Sequence, residues 1–220
     1  MGTGRDSRAH PLGAGAALAV TILGGGYAMV LAIGLLTLPA PAEPIQDPWF
    51  TLLEGLILAI APAMVVFMAA LHAWAPAQGR GFTLVALVFM SLCAGLTCAV
   101  HFSVLALSRQ AAFAAPPWST LVFAFRWPSL VYALDILAWD LFFPIAALFA
   151  ARALREAAGA QPVRTLLDLS ALMAFGGLAG VPLASMPLRN IGIVGYAVLF
   201  PLAAALMTGR LRGDRAGGEG

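Results

Sequence analysis

Residues Phe50–Trp74 read FTLLEGLILAIAPAMVVFMAALHAW, an apolar run that contains one carboxylate, Glu54, and neither lysine nor arginine. A helix needs about 20 mostly apolar residues to cross the hydrocarbon core of a bilayer. The run is long enough for one crossing, and it is continuous rather than alternating as a strand of a membrane barrel would be. It therefore predicts a transmembrane helix.

Stretches of the same character lie on both sides of this run. The chain has six predicted spans in all: Ala14–Leu38, Phe50–Trp74, Phe82–Leu107, Ser129–Ala151, Thr165–Ser185 and Ile191–Thr208. They leave short connections and two polar tails, residues 1–13 and 209–220, which provide no room for a soluble domain. The predicted fold is all-α: a polytopic integral membrane protein in which residues 14–208 form one bundle of six transmembrane helices.

The overall composition agrees with this fold. Of the 220 residues, 61% are hydrophobic and 10% are charged, whereas about a quarter of the residues in a soluble domain are charged. Soluble globular folds and intrinsic disorder are excluded on this ground, and two cysteines are too few for a disulfide scaffold. The net charge of +2 is not the footprint of a nucleic-acid-binding protein. The predicted partner is the lipid bilayer.

All basic residues other than histidine are arginines, and their placement predicts the orientation. Nine of the twelve lie in the two tails and in the second and fourth connections, and three, Arg109, Arg126 and Arg189, lie on the opposite side. Cytoplasmic connections carry the excess of arginine and lysine. We therefore expect both termini in the cytoplasm, as an even number of spans requires.

Two stretches in the second half of the chain look like known sequences: residues 127–140, WPSLVYALDILAWD, and residues 188–196, LRNIGIVGY. They resemble segments of uncharacterised bacterial multi-pass inner-membrane proteins. The resemblance implies a bacterial inner-membrane location and a helical membrane fold. It implies no activity and carries over no site residue.

Four ionisable side chains lie inside the predicted spans, away from the arginine-rich ends: Glu54, His101, Asp135 and Asp140. A charge at the bilayer centre costs about 2.5–3.5 kcal/mol, so such residues indicate a functional site. At about 1.5 Å per residue, the first three lie in one layer about 6–9 Å below the outer surface, and Asp140 lies at about 16 Å. Asp140 follows Asp135 by five positions, which predicts that it points about 140° away.

Further candidates surround this layer. Tyr132 and Trp139 lie on the helical face of Asp135, at spacings of three and four. Arg189 and Asn190 lie in a tight outer connection, where they are expected to cap a pocket. The connection 118–127, WSTLVFAFRW, is too apolar for an open loop and too short to span, so it is predicted to lie in the outer interface or to fold over the bundle as a lid.

These residues predict a candidate binding pocket, for which three classes of function stay open. In the first hypothesis the pocket binds or transports a small solute, with or without a coupled proton. The second is an intramembrane enzyme acting on a lipid or another hydrophobic substrate, with His101 or a carboxylate as general base. The third is a structural or accessory membrane subunit.

No catalytic residue is assigned and no cofactor is predicted, because the helices carry no pair of metal ligands at helical spacing. Glu54, His101 and Asp135 are the one metal-binding alternative. Charges shift each other's protonation within about 6 Å, so the distances among these three side chains are the decisive observation.

Overall fold

The computed structural model describes residues 11–40, 43–183 and 185–213, and within them it is helical without strands. Residues 1–10 and 214–220 of the predicted tails lie outside the described residues. Six long helices are present: α1 (Pro11–Leu36), α2 (Trp49–Trp74), α3 (Arg80–Leu107), α4 (Leu130–Ala153), α5 (Gln161–Leu178) and α6 (Met186–Arg212). Single turns at Ala77–Gly79, Ala111–Phe113 and Trp118–Val122 lie in the connections.

Five of these helices, α1, α2, α3, α4 and α6, are long and apolar enough to cross a membrane. The prediction of a multi-pass helical membrane protein is confirmed at this level. Helix α5 is not one of these five: its 18 residues are less apolar as a whole and include Gln161, Arg164 and Asp168. It also begins and ends earlier than the predicted Thr165–Ser185 span. The early end has a steric reason, because the chain turns back at Gly180 directly against the start of α6.

The six helices form a closed ring in which each packs on the next and α6 packs on α1. Consecutive helices are antiparallel, so the ring has two distinct ends. The site end carries the starts of α2, α4 and α6. The arginine end carries the starts of α3 and α5, and Arg80, Arg152, Arg164 and Arg210 lie there.

Helices α4 and α6 each contain one wide, π-helical turn, at Leu137–Phe142 and Gly195–Leu199 respectively. Each turn is followed closely by a proline, Pro144 or Pro201. Proline lacks the N–H of an α-helical hydrogen bond, and its ring collides with the carbonyl four residues earlier. That carbonyl lies inside the wide turn in both helices, so the chain widens where the regular hydrogen bond cannot form.

An aromatic layer, formed by Phe67, Phe143 and Phe200, fills the interior between the wide turns and the arginine end. All three side chains are fully buried, and their rings meet edge to face with centroids 6.0 Å and 5.2 Å apart. Trp139 and Tyr196, one from each wide turn, pack against each other at 4.9 Å and both contact Phe143. The interior beyond the site end is therefore apolar and closely packed.

Candidate functional site

Five ionisable side chains from four helices lie in contact at the site end, in the order Glu54, His101, Asp135, Arg189 and Asp140. We refer to them as the charge chain. Glu54 comes from α2, His101 from α3, the two aspartates from α4 and Arg189 from α6. Each is between 0% and 8% exposed, so the charge chain is closed to solvent in this conformation.

His101 is held between two carboxylates. Its Nδ1–H donates to Glu54 Oε2 at 3.0 Å, and its Nε2 lies 3.5 Å from Asp135 Oδ1. The second contact has the distance of an ion pair, but Nε2 makes no hydrogen bond with a described residue. The three residues that the sequence places in one layer thus converge, and both contacts are short enough for the charges to shift each other's protonation.

Arg189 joins the two aspartates. Its Nη2 donates to Asp135 Oδ2 at 3.0 Å, its Nε donates to Asp140 Oδ2 at 3.1 Å, and its guanidinium lies 4.9 Å from the centre of the Tyr132 ring. Such charge-assisted hydrogen bonds are stronger than neutral ones. The expectation that Arg189 caps the pocket from outside is wrong, because the side chain is 4% exposed and lies inside the bundle.

Three glycines allow this burial of Arg189. A Cβ atom at Gly180 would lie 2.6 Å from the backbone nitrogen of Arg189, and one at Gly177 would lie 2.7 Å from its carbonyl oxygen. A Cβ at Gly192 would lie 2.7 Å from Asp140 Oδ1. The start of α6 therefore approaches α5 at backbone contact, which no residue larger than glycine permits.

The wide turn of α4 explains why Asp140 belongs to the same site. Five positions along a regular α-helix turn a side chain by about 140°, which is the basis for expecting Asp140 to point away from Asp135. In a π-helical turn, residues five apart are joined by the hydrogen bond and lie one above the other. Asp135 precedes the turn Leu137–Phe142 and Asp140 lies within it, so both carboxylates reach Arg189.

Unsatisfied polar atoms gather at the charge chain. Among the described residues, three buried side-chain polar atoms have no hydrogen-bond partner: Thr97 Oγ1, His101 Nε2 and Asp140 Oδ1. Two belong to the charge chain, and Thr97 lies one helical turn from His101 on α3. Leaving a buried donor or acceptor unpaired costs about 1–3 kcal/mol. The site end therefore retains hydrogen-bonding capacity that the described residues do not use.

The connection between α3 and α4 covers the charge chain. Phe125 stacks on the His101 ring with centroids 5.1 Å apart and an interplanar angle of 26°. Phe50 meets Phe125 edge to face at 6.3 Å. Residues 118–127 are predicted either to lie in the outer interface or to fold over the bundle as a lid. The segment around Phe125 folds over the charge chain as a lid.

The remaining predicted residues lie at different distances from the charge chain. Tyr132 is half-buried beneath Arg189, Trp139 lies against the aromatic layer, and Asn190 is exposed and is not brought to the site. Sequence reasoning missed two tyrosines, Tyr27 of α1 and Tyr196 of α6, which are partly buried against the apolar core, with the Tyr196 ring 4.9 Å from that of Trp139. A phenol inside an otherwise apolar span is the signal that identifies them.

Two apolar grooves flank α4 at the site end. The α3–α4 groove has a volume of about 250 Å³, and its lining includes Leu96, Ala99, Ser103, Phe123, Leu130 and Leu134. The α4–α5 groove has a volume of about 220 Å³, and its lining includes Trp127, Ala133, Leu137, Leu141, Leu178 and Val181. Neither of these two grooves is lined by a residue of the charge chain.

The contacts of His101 argue against the metal-binding alternative. Glu54 meets Nδ1 and Asp135 approaches Nε2, on opposite edges of the ring, so the three side chains do not face one common point. Within the described residues, no group of three or more His, Cys, Asp and Glu side chains has an arrangement that would hold a metal ion.

A second ionic group lies at the surface of the site end: Asp47 and Arg109 lie in the connections, and Thr51 lies in the first turn of α2. Arg109 Nη2 lies 2.9 Å from Asp47 Oδ2, and Asp47 Oδ1 accepts from both the hydroxyl and the N–H of Thr51. The hydrogen bond from the Thr51 hydroxyl, aided by its N–H and by Arg109, lowers the pKa of Asp47. This group is exposed and does not touch the charge chain.

No protein-family model, no curated protein and no solved structure matches this chain.

Proposed function

We propose that this protein is a six-helix membrane protein that binds and transports a small solute in exchange with protons held on the charge chain. The observation that carries the proposal is the imbalance of charge. With His101 neutral, the charge chain contains three carboxylates and one guanidinium, that of Arg189. Uncompensated charge costs several kcal/mol per ion inside a protein, so two protons or a cationic solute would be bound favourably.

The unpartnered atoms support this assignment. A proton on His101 Nε2 provides a hydrogen-bond donor towards Asp135. A proton on Asp140 neutralises one of the two carboxylates that Arg189 binds, and the guanidinium then compensates the charge of Asp135. A solute that carries a positive charge or hydrogen-bond donors offers the same compensation. Proton and solute would therefore compete for the same carboxylates, and this competition is the physical basis of exchange.

The proposed membrane arrangement has α5 as the sixth crossing. The helix runs from Gln161 to Leu178. At about 1.5 Å per residue it extends about 27 Å, close to the thickness of about 30 Å of the hydrocarbon core. Its charged residues lie near the arginine end, where Arg152 binds Asp168 at 2.8 Å. By the positive-inside rule the arginine end and both termini face the cytoplasm, and the charge chain lies in the outer half of a bacterial inner membrane.

Transport requires two changes from the conformation described. Phe125 must leave His101 to admit the solute, and the aromatic layer must separate to release it on the other side. The wide turns of α4 and α6 lie next to that layer, and Asp140 of the charge chain lies within the first of them. Discontinuities of this kind are where transporter helices bend around a midplane site.

The proposal is tested with purified protein in sealed vesicles that contain a trapped pH-sensitive dye. Under an imposed pH gradient, with a quaternary ammonium ion supplied on the less acidic side as the exchanged solute, the wild-type protein should dissipate the gradient, and the triple variant Glu54→Gln, His101→Ala and Asp135→Asn should leave it at the rate of protein-free vesicles. Asp168→Asn, at the opposite end, serves as the matched control and should behave as the wild type. Equal rates for the wild-type and triple-variant proteins would refute proton-coupled transport.

A second candidate, an enzyme acting on a lipid, is favoured by the orientation of His101. Glu54 holds one ring nitrogen while the other has no hydrogen-bond partner among the described residues, which is the arrangement of a general base. It predicts a chemically altered lipid, detected by mass spectrometry after incubation in vesicles, whose formation is lost in His101→Ala. A purely structural role predicts that the triple variant changes neither proton movement nor lipid composition.

A further inference from the structure

The α3–α4 groove lies beside the charge chain and has the chemistry of a site for an apolar chain. Its lining is apolar except for the Ser103 hydroxyl, and it opens between two helices on the outer surface of the ring. Leu130, at its edge, is 54% exposed. In a membrane protein this surface faces lipid tails rather than water, so the groove is within reach of a molecule dissolved in the bilayer.

The groove and the lid share one small core. Val100, Val104 and Val131 form a buried apolar cluster against which Phe125 packs. Phe123 and Leu134 of the groove lining pack on the same cluster. An alkyl chain in the α3–α4 groove would therefore contact the side chains against which Phe125 packs. Phe125 in turn covers His101.

Charge determines which polar group fits at the end of such a chain. The charge chain has more carboxylates than cationic groups, so it attracts a positive head group and repels a negative one. The rings of Phe125 and Phe50 lie next to the imidazole, and aromatic faces also attract ammonium groups.

We propose that the α3–α4 groove and the charge chain together bind a cationic amphiphile, with its alkyl chain in the groove and its ammonium group at Asp135 and Glu54 after Phe125 moves aside. This inference rests on the proposed function, because it assumes that the charge chain binds the charged group of the solute. It narrows the small solute to a molecule with one apolar chain and one positive head.

The inference is tested with a photoactivatable alkyl ammonium added to the full-length protein in nanodiscs, followed by mass spectrometry of the labelled peptides. We expect labelling of the α3 and α4 residues that line the groove. Ala99→Phe fills this groove and should reduce that labelling by about tenfold, because the alkyl chain is excluded from it. Ala133→Phe fills the α4–α5 groove instead and is the matched control, with labelling equal to the wild type.

The head group is tested separately. Labelling by an alkyl sulfate of the same chain length should be about tenfold weaker than by the ammonium, and Asp135→Asn should remove most of this preference. Equal labelling by both probes would show an ordinary lipid contact and overturn the inference.

The result is distinguishable from a failure of the proposed function. Loss of proton movement in the triple variant without selective ammonium labelling refutes the amphiphile and leaves proton exchange standing. Selective labelling in a protein that moves no protons refutes the proton exchange alone. Circular dichroism of each variant checks that it has folded.

Discussion

Replacing Arg189 with glutamine should be among the most destabilising single changes in the bundle. The guanidinium separates Asp135 from Asp140, which it binds at 3.0 Å and 3.1 Å, and its removal leaves two buried carboxylates without their cation. Breaking a buried ion pair by removing one partner costs about 3–5 kcal/mol. We expect Arg189→Gln to lower the free energy of unfolding by this amount, measured by denaturant titration of the purified protein in micelles.

A double-mutant cycle separates this reasoning from general damage to the core. Asp140→Asn in the Arg189→Gln background removes one of the two unpaired buried charges. The double variant should therefore lose about 0.5–3 kcal/mol less free energy of unfolding than the sum of the losses of the two single variants. Arg152→Gln breaks the half-exposed pair with Asp168 and should cost less than about 1 kcal/mol. Strict additivity at the buried site, or equal losses at both sites, would refute the electrostatic account of the charge chain.

Three further outcomes follow from individual contacts. A Cβ at Gly192 would meet a carboxylate oxygen at 2.7 Å, whereas one at Gly176 has open space. Gly192→Ala should therefore lower the free energy of unfolding by about 1–3 kcal/mol, and Gly176→Ala should not destabilise the helix. Phe125→Ala should speed the modification of His101 by diethyl pyrocarbonate, located by mass spectrometry, and an unchanged rate would contradict the lid. Asp47 is an exposed carboxylate with a lowered pKa, so Asp47→Asn should cost less than about 1 kcal/mol at neutral pH. The stability that the Asp47 carboxylate contributes is present above its unfolded-state pKa and is lost as the pH falls through its native pKa. The thermal unfolding temperatures of Asp47→Asn and the wild type should therefore be equal in acid.

The helices are predictable from the sequence because the bilayer imposes length and apolarity on each crossing. Glu54, His101 and Asp135 can be placed in one layer for the same reason, since depth follows from the number of residues and a fixed rise. Helix α5 ends before its predicted limit because the chain turns back at Gly180, directly against the start of α6. That close approach is a tertiary contact, which hydropathy does not measure.

The differences at Asp140 and Arg189 have separate causes. A regular helix directs Asp140 away from Asp135, but the turn that contains Asp140 is wide, because Pro144 prevents the regular hydrogen bond. The place of Arg189 in a short connection predicts an outer position, but Gly177 and Gly180 let the backbone descend into the bundle. The first effect is local, since Pro144 acts on the carbonyl four residues earlier, whereas the second depends on a close approach of two backbone segments that hydropathy does not measure.

The aromatic layer has an electrical consequence. Phe67, Phe143 and Phe200 form an apolar, low-dielectric region between the charge chain and the arginine end, so part of a transmembrane voltage would fall across it in the proposed membrane arrangement. One elementary charge crossing the whole field changes in free energy by about 2.3 kcal/mol for a potential of about 100 mV. A proton that exchanges between the charge chain and the nearer surface should therefore experience less of the voltage than a charge that also passes the three phenylalanines. In a proteoliposome with a controlled membrane potential, the voltage dependence of proton movement and of solute movement would show which of them crosses the aromatic layer.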